Sequence, residues 1–345
     1  MFEATKRGVY SRSAINLLGA RRPVPSHVLS TMLSSLPLLA LVFPLALATL
    51  PDVTSIIRSV TEDAKLIKVG DATSLSVTEV DSYTPYGFFS AAAYCPPDTR
   101  NNWQCKSCQA DSIKDFQLYK SGGDGDKIQY WYVGWWPSQN TVVVGRQGTD
   151  FSKLWPVVTD VSLVQVPTDH FSDCPADVTV HLGFLESHKR SIDTIFEAVK
   201  AVLAERGATQ LLTVGHSLGA ALAMLDGLYM RGRLDTTIKV RTRTFGGPRV
   251  GNKAFADFFD EKIPDMVRIT NKRDPIPILP PVISGYMHTL GEKHINLKGV
   301  WHSCAGQENL NKNCSVGEAW INIPTWSEHD GPYAGGAMTR QAINC

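Results

Sequence analysis

The chain is 345 residues long, 43% hydrophobic and 19% charged, with 34 Lys and Arg against 33 Asp and Glu. That is enough chain for one large globular domain or two small ones. A formal net charge of +1 leaves no electrostatic footprint for a polyanion, which argues against nucleic acid as a partner.

In chain order, Lys6, Arg7, Arg12, Arg21 and Arg22 precede an apolar segment whose core runs from Leu36 to Leu47. A spanning helix needs about 20 apolar residues, and Pro37 and Pro44 interrupt this shorter one. Its length suits the apolar region of a secretory signal, with Ala46-Leu47-Ala48 as the cleavage pattern. Met32 begins a signal of ordinary length. The expectation is an N-terminal extension and signal peptide over 1–48 and a secreted chain over 49–345, with no stable membrane span after cleavage. An uncleaved anchor is the alternative.

All seven cysteines, Cys95, Cys105, Cys108, Cys174, Cys304, Cys314 and Cys345, follow that cleavage point. In an oxidising compartment they point to disulfides, and an odd number leaves one over. Cys105-Lys-Ser-Cys108 lacks the strand-then-helix setting of a redox pair, and no second CxxC or HxxxH supports zinc. Neither a metal nor a cofactor is expected. Asn313-Cys314-Ser315 is a sequon for N-glycosylation.

Ile128–Val133 and Thr141–Val144 are rich in β-branched and aromatic residues and are separated by Pro137, Ser138 and Asn140, the pattern of a strand pair. Apolar residues at helical spacing predict one helix over Phe184–Arg206, stopped by Gly207. A strand over Gln210–Val214, a turn, and an apolar helix from about Leu218 to Met230 follow. Then come a strand over Ile238–Thr244, a helix around Asn252–Glu261 and a strand over Met266–Thr270. Beyond Asp274 the chain reads as loop, with a strand at Lys293–Leu297. Strands alternating with helices predict an α/β architecture with a mostly parallel sheet, in one domain.

The turn after the third strand is Gly215-His216-Ser217-Leu218-Gly219. A serine at a strand-to-helix turn is held clear of its own backbone, and the flanking glycines remove side chains that would collide with neighbouring elements. The helix N-terminus below it offers a positive dipole, and the Leu218 N–H can meet a developing oxyanion. A serine needs a base, and the base needs an orienting carboxylate. Downstream, Asp274 sits just past the Met266–Thr270 strand, at the end of the sheet where chemistry gathers. Asp265 is at the wrong end, and Asp257 and Asp260 read as solvated helix residues. The later histidines are His288, His294, His302 and His329; spacing leaves both His329 and His288 open as the base.

Several motifs occur in order: AAAYC at 91–95, RQGTD at 146–150, VHLGF at 180–184, GHSLGAAL at 215–222, TFGGPRVGN at 244–252, NKRDPIPILP at 271–280, HSCAGQEN at 302–309 and HDGPYAG at 329–335. With them the chain from about Tyr94 to Tyr333 resembles the fungal class 3 lipase family of α/β-hydrolases, and within it the basidiomycete secreted triacylglycerol lipases. The resemblance implies Ser217 as nucleophile, Asp274 as acid and His329, rather than His288, as base. It implies Thr149 as a second oxyanion donor beside Leu218; on the residues alone, a plain turn residue after a strand is the lesser alternative. It implies a lid over about 150–166, where Phe151, Leu154, Trp155, Val157 and Val158 form an apolar stripe. It implies disulfides Cys95–Cys345, Cys105–Cys108 and Cys304–Cys314, leaving Cys174 free. The long Cys95–Cys345 loop stabilises most, roughly 4–5 kcal/mol on the chain-entropy model.

The expected reaction is therefore hydrolysis of acylglycerol esters at an oil–water interface, by a secreted monomer. The apolar lid favours lipid over a feruloyl or short-chain ester, which is the alternative substrate. A non-catalytic lipid-binding relative is the third reading, and it is disfavoured because no member of the triad is lost.

Overall fold

A computed structural model describes residues 67–149, 163–321, 325–339 and 345. These lie in one compact unit, Thr54–Cys345. The signal over 1–48 and most of the lid, residues 150–162, lie outside the described residues.

The strands are β1 (Ala72–Ser74), β2 (Gln117–Gly122), β3 (Trp131–Trp136), β4 (Thr141–Arg146), β5 (Gln165–Pro167), β6 (Thr179–His181), β7 (Gln210–His216), β8 (Lys239–Phe245), β9 (Met266–Asn271), β10 (Glu292–Ile295) and β11 (Trp301–Cys304). Nine form one sheet in the order β1-β11-β10-β9-β8-β7-β4-β3-β2, while β5 and β6 pair separately. β4, β7, β8, β9 and β10 run parallel, and both edges are antiparallel.

Both faces of the parallel block are covered, as such sheets require. Along β4, Val142 and Val144 join one core with Phe184, Val199 and Leu222, while Val143 turns to the other, with Phe89, Leu212 and Val214. This is the two-residue period of a strand buried on both sides. The first core lies under the helices Leu182–Lys189, Ile192–Arg206, Leu218–Arg231 and Lys253–Lys262, and the second under the helix Thr84–Ala92. Asn252 caps its helix by accepting the Phe255 N–H at 2.9 Å. Gly207 takes the left-handed conformation that ends the Ile192–Arg206 helix.

Three expectations need correction. The single helix over Phe184–Arg206 is two helices, broken at Arg190–Ser191. The Ser191 hydroxyl there accepts from buried Arg146 at 2.7 Å, so tertiary contact overrides a periodicity that runs on through the break. The region beyond Asp274 holds more than one strand: β10 and β11 extend the sheet, with β1 pairing outside β11, and a helix over Ser315–Ile321 follows, while most of the region stays in loops and turns. Prolines and glycines there mark short connections between short elements. Asp260 is not simply solvated; it accepts from the Leu290 N–H and from Gln307, and burial raises its pKa.

Three disulfides join Cys95 to Cys345, Cys105 to Cys108 and Cys304 to Cys314, and Cys174 is a half-buried free thiol. Glu292 lies close to Cys304 and Cys314, but their sulfurs are bonded to each other and offer no thiolate to a metal. Asn313 is half-buried, and its side-chain oxygen accepts from Asn296 at 3.2 Å. No helix among the described residues is long and apolar enough to cross a membrane.

Candidate active site

β7 ends at His216, and the Leu218–Arg231 helix begins one residue later. Ser217, between them, has φ 61° and ψ −129°, a conformation that costs a non-glycine residue of order 1–3 kcal/mol. The surrounding packing holds it: the Ser217 N–H donates to the Phe245 carbonyl at 3.0 Å, continuing the β7–β8 ladder past the turn. A Cβ on Gly215 would sit 2.1 Å from the Gly219 carbonyl oxygen, and one on Gly219 would sit 2.4 Å from the Arg146 carbonyl oxygen. Strand, turn and helix approach so closely here that only glycine fits at either position.

Asp274 follows β9 and His329 follows a short 3-10 turn, Trp326–Glu328. His329 Nδ1 lies 2.8 Å from Asp274 Oδ2, and His329 Nε2 lies 2.9 Å from Ser217 Oγ. The three side chains are nearly fully buried. The other Asp274 oxygen accepts the Ile276 N–H at 2.9 Å, which fixes the carboxylate plane. The line can thus pass a proton from Ser217 to His329 while Asp274 holds the tautomer and faces the imidazolium.

The remaining downstream histidines are engaged elsewhere. His288 Nε2 donates to the Pro277 carbonyl at 2.6 Å, and burial pushes its pKa down to about 3. His294 is held between Thr270 and Glu318, and His302 lies between Ser74 and the Val300 carbonyl. Asp265 pairs with Arg243 at 2.6 Å at the opposite end of β9.

Leu218 is the first residue of the helix, and among the described residues nothing accepts from its N–H. Its neighbour across the turn is the β4 loop: a Cβ on Gly148 would come within 3.0 Å of the Ser217 Cβ. Thr149, half-buried, is the next residue of that loop.

Reading the sequence missed Gly246. It has φ 52°, and a Cβ there would lie 2.9 Å from Asp274 Oδ2 and 3.1 Å from His329 Cε1. The Gly-Gly pair after β8 is the signal that points to it: a residue at the end of a parallel strand where side chains from two later loops converge. Tyr333 was also missed as a partner; its hydroxyl donates to the His329 carbonyl at 2.8 Å.

A profile of the family described as Lipase (class 3) matches residues 143–284. A secreted mono- and diacylglycerol lipase of Malassezia globosa is 31% identical over 266 residues, which is 75% of this chain and 85% of the relative. A lipase of Rhizopus niveus is 29% identical over 229 residues, 64% of this chain, and the match spans 55% of that relative's own length. The crystal structure of a lipase from Rhizopus microsporus var. chinensis superposes with a TM-score of 0.67 at 26% identity, covering 79% of this chain and 93% of that one. The mixed sheet described above is thus the α/β-hydrolase fold of fungal lipases.

Proposed function

Because this chain belongs to the class 3 lipase family, we propose that Ser217, His329 and Asp274 form the catalytic triad with which it hydrolyses acylglycerol esters. The chain is a carboxylic ester hydrolase of the lipase type. The observation that carries the assignment is the continuous line from Ser217 Oγ through both nitrogens of His329 to Asp274.

Ser217 Oγ attacks the ester carbonyl as its proton passes to His329 Nε2. The oxyanion meets the N–H of Leu218 and the N–H and hydroxyl of Thr149. His329 then returns the proton to the leaving alcohol, and water, activated by the same imidazole, releases the acid from Ser217.

The substrate reading rests on apolar surface. Val164, Leu182 and Ile283 are exposed, and the Leu182 N–H bonds to the carbonyl of Val164, at the C-terminal end of the lid segment. An apolar cavity of about 520 Å³, lined by Ile278, Pro281, Val282, Ile283 and Val316, opens beside the loop that follows Asp274. These favour long acyl chains over a feruloyl ester, and the relatives' names point the same way. A lid over 150–166 would gate access and exclude water. Secretion is supported by the relatives named as secreted and by three disulfides. A monomer is supported by a site assembled wholly from one chain.

The test compares emulsified mono-, di- and trioleoylglycerol with methyl ferulate, using the full chain and Ser217→Ala. Fatty acid release that requires Ser217 and rises steeply once droplets form is expected. Faster turnover of the ferulate, or hydrolysis that survives Ser217→Ala, overturns the reading.

A further inference from the structure

The turn that carries Ser217 also carries a buried histidine that the reaction above does not use. His216 Nδ1 lies 2.7 Å from the Tyr94 hydroxyl, and Nε2 lies 2.8 Å from the backbone carbonyl oxygen of His329. A carbonyl only accepts, so Nε2 carries a proton. Burial first, and then the nearness of His329, lower the pKa of His216 well below the ordinary value, so the ring is neutral. Nδ1 is then a lone pair, and the Tyr94 hydroxyl must donate to it. Burial raises the Tyr94 pKa, which keeps that hydroxyl protonated, and the hydroxyl abuts Gly148, where an added Cβ would collide with it.

The bonds therefore run in one direction. Tyr94, packed against Gly148, donates to His216, and His216 donates to the carbonyl of His329. Tyr333 donates to the same carbonyl from the other side. Thr339 Oγ1, 3.2 Å from His216 Nε2, shares that donor while its own proton reaches the Asp330 carbonyl. Two buried side chains, more than 100 residues apart in sequence, thus connect the β4 loop to the backbone of His329.

We propose that Tyr94 and His216 are positioning residues, a hydrogen-bond relay of fixed polarity that holds the backbone of His329 in register with the Gly148–Thr149 loop. Base and oxyanion donor are then placed by one network, which rests on the ester-hydrolase reading above. Simple packing would need neither polar group: a phenylalanine fills the Tyr94 site, and unpaired buried hydroxyls and imidazoles are costly. Placement at this scale governs rate, since a 1 Å displacement of a reacting group can cost about 10²-fold.

The test is kinetics of p-nitrophenyl butyrate hydrolysis by the full chain and four variants, Tyr94→Phe, His216→Gln, His216→Leu and Tyr94→Phe/His216→Leu, each assayed well below its thermal midpoint. Tyr94→Phe should lower kcat by about tenfold, the scale of one buried hydrogen bond, with KM within about twofold. His216→Gln retains an N–H toward the His329 carbonyl and should recover about tenfold in kcat over His216→Leu. The double variant should be no slower than His216→Leu alone, because a relay already broken cannot be broken again. The proposal is overturned by a Tyr94→Phe kcat within about twofold of wild type, by equal rates for Gln and Leu, or by losses that multiply in the double variant. Ser217→Ala separates the two readings. Wild-type turnover that does not depend on Ser217 sinks the ester-hydrolase reading itself; Ser217-dependent turnover with an unaffected Tyr94→Phe sinks only the relay.

Discussion

Two buried histidines in this molecule each stand beside an aspartate, and one of them also faces a serine held in a strained turn. His329 has Asp274 at 2.8 Å on one side and Ser217 at 2.9 Å on the other. His188 has Asp226 at 2.8 Å on one side and His170 at 3.1 Å on the other. The difference lies in what else touches the aspartate. Arg146 grips Asp226 through Nε at 2.7 Å and Nη2 at 2.8 Å, so its charge is already balanced, and burial outweighs Asp226 to lower the pKa of His188. Asp274 has an amide N–H and the imidazole, which leaves its charge to meet a proton arriving on His329. A buried Asp–His pair is therefore no signature of catalysis. A strained serine at the far end and a carboxylate that no cation among the described residues touches make the difference.

Substitutions at the two clusters should separate accordingly. Ser217→Ala removes the nucleophile and should cut kcat on a p-nitrophenyl ester by at least about 10⁴-fold with the thermal midpoint retained. Asp274→Asn keeps the geometry but loses the tautomer and the countercharge, and a kcat loss of about 10⁴-fold is expected. Near-normal rates for either would make the two clusters equivalent and break the contrast.

Asp226→Asn should invert the pattern. It leaves Arg146 buried without its partner, so urea titration should report a loss of about 3–5 kcal/mol. The remaining folded enzyme should keep kcat within a few-fold; a loss comparable to Asp274→Asn would place Asp226 in the reaction.

The smallest effect belongs to His170. Burial, and then the nearness of His188, lower its pKa from 6.5 to about 4. Between those values the unfolded chain binds the proton and the folded one does not, so stability falls as pH drops from about 6.5 to about 4 and levels off below. His170→Gln should flatten part of that slope in midpoints measured across this window. An unchanged slope would remove His170 from the acid response.

How much of this was readable in advance follows the range of the interactions. The Gln210–Val214 strand, the turn and the helix after it are local, and five consecutive residues announce Ser217. Asp274 was legible because it directly follows a strand end. The base was not: spacing left His288 and His329 open, and the resemblance to a family decided between them. The break at Arg190–Ser191 was invisible because its cause, Arg146, lies 45 residues upstream. Gly246 and Tyr333 were missed because they matter only when separate loops converge.

By itself, then, the sequence determined the central alternation of strands and helices and the tight turn at Ser217, one of five non-glycine residues with positive φ among the described residues. Those are properties of adjacent residues, set by periodicity and steric fit. Tertiary structure alone decided which histidine reaches the serine, which aspartate is left without a cation among the described residues, and that Tyr94 and His216 link the Gly148 loop to the backbone of His329. Hydrogen bonds between residues more than 100 positions apart depend on how the sheet brings its strand ends together, and no local pattern encodes that meeting.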